Sequence, residues 1–301
     1  MSSPPPSFQH HGSPPARPEL PEGVAPPPDD EPAGEELPRW APWAPFAGML
    51  LTLVIAIAGA TVIAVIAQLS GADITDHTPA GVTIGGTFVQ DLGLVLSAIV
   101  FAKVTAGVPT ARQFGLRDVA IKRALATAVV AWLAFWVFSA AYGALFDVTE
   151  KDNLPQDLGA GDSTLNLVLV TLLVCLVAPI CEELFFRGFC FTALRRWLGV
   201  AGGAVATGVI FGLIHAGSAD AIFLPPLALL GFLLCLVYHR TGSLVPCMAL
   251  HAFNNALALG VAQHFSVAGT VALMIGAPAL VATLGLLAAR SRRLNAVPAA
   301  A

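Results

Sequence analysis

Two adjacent glutamates, Glu182 and Glu183, stand in the apolar run TLLVCLVAPICEELFFRGFCF, with Arg187 four residues after the second. Ionisable groups inside a membrane span are costly, so their presence raises a functional hypothesis. Two later hydrophobic runs carry polar groups of their own: His215 in VIFGLIHAG, and His251 with Asn255 in MALHAFNNALAL. A carboxylate beside imidazoles can move protons, and a donating imidazole or amide can stabilise a developing oxyanion.

These groups need rods to carry them, and the composition says what kind. With 56% hydrophobic and 11% charged residues over 301 positions, and a mean hydropathy of +0.77, the chain is no soluble globular domain. The fold class is all-α, a polytopic integral membrane protein with eight transmembrane helices. Eight apolar stretches are long enough to cross: 46–68, 81–102, 124–146, 164–197, 200–217, 221–238, 243–262 and 268–289. The chain divides into four regions: a Pro-rich cytoplasmic tail (1–43), helices 1–3 with an interfacial segment (44–160), a catalytic transmembrane part (161–290) and a short C-terminal tail (291–301).

Charge gives the orientation. With the N-terminus inside, the inner segments hold fourteen of the fifteen basic residues, from Arg17 and Arg39 to Arg290, Arg292 and Arg293, and the outer loops hold only Lys151 among many acids. The positive-inside rule therefore places both ends in the cytoplasm of a multi-pass cell-membrane protein. Residues 1–38, with twelve prolines and no periodicity, read as disordered. Trp40 and Trp43 suit an interfacial belt, and TARQFGLRDVAIKR reads as an interfacial helix. The five cysteines, in or beside the spans, read as small packing residues.

The fourth stretch is too long for one straight crossing, so Pro179, which removes the hydrogen bond to the carbonyl of Cys175, is expected to kink it one turn before the glutamates. Counting about 1.5 Å per residue from the cytoplasmic ends puts Glu182, His215 and Asn255 roughly 20–24 Å deep, with His251 one turn shallower. Three helices thus deliver polar groups to one layer. Glu183 and Arg187 share a helix face in the favourable order for an ion pair. Glu182 points about 100° away, which leaves it as the free carboxylate. Phe211 lies one turn before His215 and can pack beside its ring. Asn254, adjacent to Asn255, points elsewhere on its helix and reads as packing or interhelical glue. Asp91, in TFVQDLGLVL, is the remaining deep acid; it is either a partner of Arg187 or a histidine, or the lining of a wet cavity.

Together EELFFR, FGLIH and HAFNN resemble the motifs E-E-x-x-x-R, F-x-x-x-H and H-x-x-x-N of the type II CAAX prenyl endopeptidases and their bacterial CPBP relatives, over roughly residues 164–262. The resemblance implies peptide-bond hydrolysis within the membrane, with Glu182 and His215 activating a water and His251 and Asn255 stabilising the oxyanion. Glu183 and Arg187 would hold the geometry. Relatives are often labelled metalloproteases, and Glu182, His215 and His251 could hold zinc, but HExxH is absent and a glutamate-activated water needs no cofactor.

The expected partners are a peptide or membrane-protein substrate, reached from the cytoplasmic side, and the lipid bilayer, with no nucleic acid. Two other classes fit some of the residues. Midplane polar groups and the LPPL at Pro225 and Pro226 also suit a carrier, though no internal repeat links the halves. A catalytically idle relative that binds membrane partners is the other.

Overall fold

Chains that leave water must satisfy their own backbone groups, and helices do so within one segment. In the computed structural model, residues 38–74, 78–148 and 154–294 are described, the last four as backbone only. The expected tails thus lie largely outside the described residues. The helices are α1 (Ala44–Leu69), α2 (Ala80–Ala106), α3 (Ile121–Phe146), α4 (Leu154–Asp157), α5 (Thr164–Leu172), α6 (Ala178–Glu183), α7 (Thr192–Ile214), α8 (Leu224–Thr241), α9 (Val245–Ala262) and α10 (Val267–Leu294). Wider π-helical turns, Leu173–Val177 and Leu184–Phe191, join α5 to α6 and α6 to α7. No strand occurs among the described residues.

Seven helical runs among the described residues are long and apolar enough to cross a membrane. One, Thr164–Gly217, has 54 residues, well over twice the length of a single crossing. It is broken at Gly199, whose φ of 72° is left-handed and suited to glycine. The chain doubles back there so closely that a Cβ on Gly203 would lie 2.8 Å from Cα of Arg195. The break divides the run into the two apolar stretches read from the sequence. Leu50, Leu53 and Ile57 on α1 and Val130 and Val137 on α3 are exposed, an apolar surface far beyond what water tolerates, and a bilayer must cover it. This is a multi-pass membrane protein.

The bundle has two chemically distinct ends. At one, Arg196 Nη1 donates to the carbonyl of Pro38 at 3.4 Å, Ser243 Oγ to the carbonyl of Arg117 at 2.7 Å, and Arg290 Nε lies 3.4 Å from Asp118 Oδ1. Lys103, Arg112, Arg195 and Arg240 belong to the same end by their places in α2, the 107–120 loop, α7 and α8. At the other end, Gln156 Nε2 donates to the carbonyl of Ala262 at 3.3 Å, Asp157 ends the short α4, and Asp147, Asp162 and Asp220 lie in the loops.

Two local expectations change. Residues 111–115 form turns and 116–120 have no regular structure, so the interfacial helix is absent before α3 begins at Ile121. The reason is burial: Phe114 is 4% exposed and Trp40 3%, with ring centroids 5.0 Å apart. These rings pack into protein instead of lipid, and Trp40 also meets Phe189 at 5.3 Å. Only Trp43, half exposed, remains available for an interfacial belt.

Candidate active site

Pro179 shapes the helix that carries the acids. A π turn joins the N–H of residue i to the carbonyl of i−5, as Ala178 N–H does with Leu173. The next carbonyl, that of Val174, would fall to Pro179, which has no N–H to give. Asn255 supplies the missing donor, its Nδ2 reaching that oxygen at 3.0 Å. The proline thus opens a widened turn, and its orphaned carbonyl, that of Val174 and not of Cys175, anchors α9.

Glu183 and Arg187 pair as their spacing predicts, Oε1 to Nη1 at 2.7 Å, with both side chains fully buried. Arg187 Nη2 donates to the carbonyl of Gly231 at 3.1 Å, and its guanidinium lies 4.5 Å from the Phe211 ring centroid. Close approach of α7 and α8 makes this possible: a Cβ on Gly231 would lie 2.9 Å from Cβ of Phe211, and one on Gly208 would lie 2.7 Å from the carbonyl of Ala228.

Glu183 also has a partner that spacing alone does not give. Nδ1 of His251 lies 2.8 Å from the same Oε1 that receives Arg187. A carboxylate can only accept, so Nδ1 carries the hydrogen and Nε2 is the ring's other polar atom. Nε2 is 3.9 Å from Oε2 of Glu182. His215, the first residue of a 3₁₀ turn at the end of α7, is held likewise: its Nδ1 donates to the carbonyl of Phe211 at 2.7 Å. Phe211 packs against both imidazoles, with centroids 4.9 Å from His215 and 5.8 Å from His251.

Glu182, His215, His251 and Asn255 all line one cavity of about 360 Å³. Glu182 Oε2 is buried and has no hydrogen-bond partner. Asp91, 1% exposed, lines the same cavity; its Oδ2 is likewise unpartnered, and its electrostatic neighbour is Glu182. Of the roles open to it, cavity lining is the one its position matches. A buried polar atom without a partner is costly, and two such carboxyl groups border this one cavity. A larger groove of about 860 Å³, between α3 and α8, is lined mainly by apolar residues and holds none of these groups.

Thr87, Gln90 and Asn254 join the lining, although motif spacing points to none of them. The Oδ1 of Asn254 is also buried and unpartnered. The polar triplet of Thr87, Gln90 and Asp91 in an apolar helix is the signal in the sequence that marks this face of α2. Among the described residues, no group of three or more His, Cys, Asp and Glu side chains is arranged to hold a metal ion, although Glu182, His215 and His251 share the cavity. All five cysteines are free and buried.

The cavity opens toward the acidic end. Its lining includes Leu154, Pro155 and Leu158 and the loop Gly217–Ala219, and a second hollow lined by Asp157 and Asp220 shares that loop. Toward the basic end the path is filled by Phe185, Phe186, Phe189 and Phe191, all fully buried.

Comparison with known proteins places this constellation. Residues 164–257 match the family model of the type II CAAX prenyl endopeptidase Rce1-like proteins. An uncharacterized protein of Mycoplasma capricolum subsp. capricolum is 28% identical over 95 residues, which cover 31% of this chain and 27% of that relative. The match thus spans little more than a quarter of the curated relative's length. No solved structure matches the chain. The segment 164–257, which supplies all three motifs, is thus similar to the Rce1-like type II CAAX prenyl endopeptidases.

Proposed function

We propose that the protein is an intramembrane endopeptidase in which Glu182 is the general base. The observation that carries this reading is the buried, unpartnered Oε2 of Glu182 in a cavity it shares with two imidazoles whose Nδ1 atoms are already engaged. Each imidazole therefore has Nε2 left for chemistry.

A water held by Glu182 and Nε2 of His215 loses a proton to the carboxylate as its oxygen adds to the scissile carbonyl carbon. The carbonyl π electrons move to oxygen, and the oxyanion accepts hydrogen bonds from His251 and from the second amide hydrogen of Asn255. Such a donor is commonly worth about 3 kcal/mol in the transition state. Collapse of the intermediate breaks the C–N bond, and the proton on Glu182 passes to the departing amine. The products are a carboxylic acid and an amine, which leave as carboxylate and ammonium once the acid's proton has passed to the amine.

For His251 to donate, Nε2 must carry a hydrogen as well as Nδ1, which makes the ring an imidazolium. Glu183 and Arg187 then act by holding His251. No cofactor is required by this scheme, and zinc held by Glu182, His215 and His251 is the alternative that a chelator arm tests.

The test is cleavage of a quenched peptide library by the purified full-length protein, with and without chelator, and with Glu182→Gln alongside. Cleavage lost in Glu182→Gln and retained in chelator is the expected result. Equal turnover by Glu182→Gln would rule out this base, and an inert wild-type protein would leave the partner-binding reading in its place.

A further inference from the structure

The orientation of the cavity bears on the substrate. We infer that the cavity receives its peptide from the non-cytoplasmic side of the membrane, and not from the cytoplasmic side expected from the sequence, so that the substrate class is the outward-facing segments of membrane-anchored or exported polypeptides. This rests on the protease reading for what happens to the peptide, but not for where the mouth lies.

Three observations converge. First, the lining runs from His251 and Leu230 at its deep end to Leu154, Pro155 and the Gly217–Ala219 loop at its mouth. Every loop residue in it comes from the acidic end of the bundle. Secondly, the basic residues Lys103, Arg112, Arg117, Arg195, Arg196 and Arg240 all belong to the opposite end. Short basic segments flanking transmembrane helices stay in the cytoplasm, so the acidic end faces out. Thirdly, the route from the basic end is filled: Phe185, Phe186, Phe189 and Arg187 are fully buried, and Trp40 packs across Phe114 and Phe189. A polypeptide arriving from the cytoplasm would have to displace this aromatic layer, whereas one arriving from outside meets the cavity through the 217–219 loop.

The rim also has a charge preference. Asp157 and Asp220 border the adjoining hollow, and neither lining includes a lysine or arginine. Like charges repel across a low-dielectric mouth, so an acidic peptide is disfavoured and a neutral or basic one admitted.

The test has two arms on the full-length protein. In intact cells, Ser218→Cys at the mouth and Arg240→Cys at the opposite end are treated with a membrane-impermeant maleimide, the five native cysteines being buried. Labelling of Ser218→Cys before lysis, and of Arg240→Cys only after it, is expected; the reverse pattern overturns the inference. In the second arm, a lysine-bearing quenched peptide that cannot cross the bilayer is added to right-side-out or inverted vesicles, with Glu182→Gln as control. Cleavage only in right-side-out vesicles supports the inference, and cleavage only in inverted ones overturns it. Silence from both faces, with the labelling pattern as expected, removes the protease reading and the substrate class with it, while the outward mouth stands.

Discussion

His251 gives its Nδ1 hydrogen to Glu183, at 2.8 Å, and not to the neighbouring Glu182. One oxygen of Glu183 thereby holds both a guanidinium from its own helix and an imidazole from α9, and Glu182 is left lining the cavity with no hydrogen bond to its Oε2. The two adjacent acids have different work because helical rotation sends them to different neighbours.

Glu182→Gln keeps the size of the side chain and removes its ability to take a proton. Peptide turnover is expected to fall about 10²–10⁴-fold, the usual range for a positioned base, with the melting midpoint of the purified protein little changed. Turnover within a few-fold of wild type would refute the assignment.

Arg187→Met leaves Glu183 buried without its cation. Breaking a buried pair on one side commonly costs about 3–5 kcal/mol, so a marked fall in thermal midpoint is expected. The same change in Glu183→Gln should be smaller, because a neutral amide can still accept from Arg187 and His251. Equal loss in both variants would mean that the charge of Glu183, more than its geometry, is what matters.

Asp91→Asn tests whether an unpartnered acid is held for function. Burying a group without a hydrogen-bond partner costs about 1–3 kcal/mol, so replacing it should leave the thermal midpoint unchanged or higher while turnover drops. That opposition of stability and activity is the signature sought. A variant that is less stable and fully active would instead make Asp91 structural.

Pro179→Ala restores an N–H beside the carbonyl of Val174 and so offers it a backbone partner. In that background Asn255→Ala should cost less stability than in wild type, with a coupling energy of about 0.5–3 kcal/mol from the four-member cycle. Activity should still be lost with Asn255, whose second amide hydrogen faces the intermediate. Simple additivity of the two midpoint shifts would contradict the link between this proline and this amide.

The sequence by itself determined whatever depends on spacing along one chain. The apolar runs made helices, because lipid offers the backbone no partners. The four-residue steps Glu183 to Arg187 and Phe211 to His215 became contacts, because a turn of helix brings such residues onto one face. Counting rise per residue brings Glu182, His215 and Asn255 to one layer, with His251 one turn away. What only the tertiary structure decided depends on which neighbour lies across a gap. That Glu183 binds His251, that Asn255 caps the carbonyl freed by Pro179, and that Asp91 and Asn254 turn their orphaned oxygens inward all depend on how α2, α6 and α9 are rotated about their axes. Spacing along one helix does not set that rotation. It comes from packing between helices, here from glycines such as Gly231 and Gly208 that let α7 and α8 nearly touch. The same packing fills the basic end with aromatic rings and leaves the cavity open at the other.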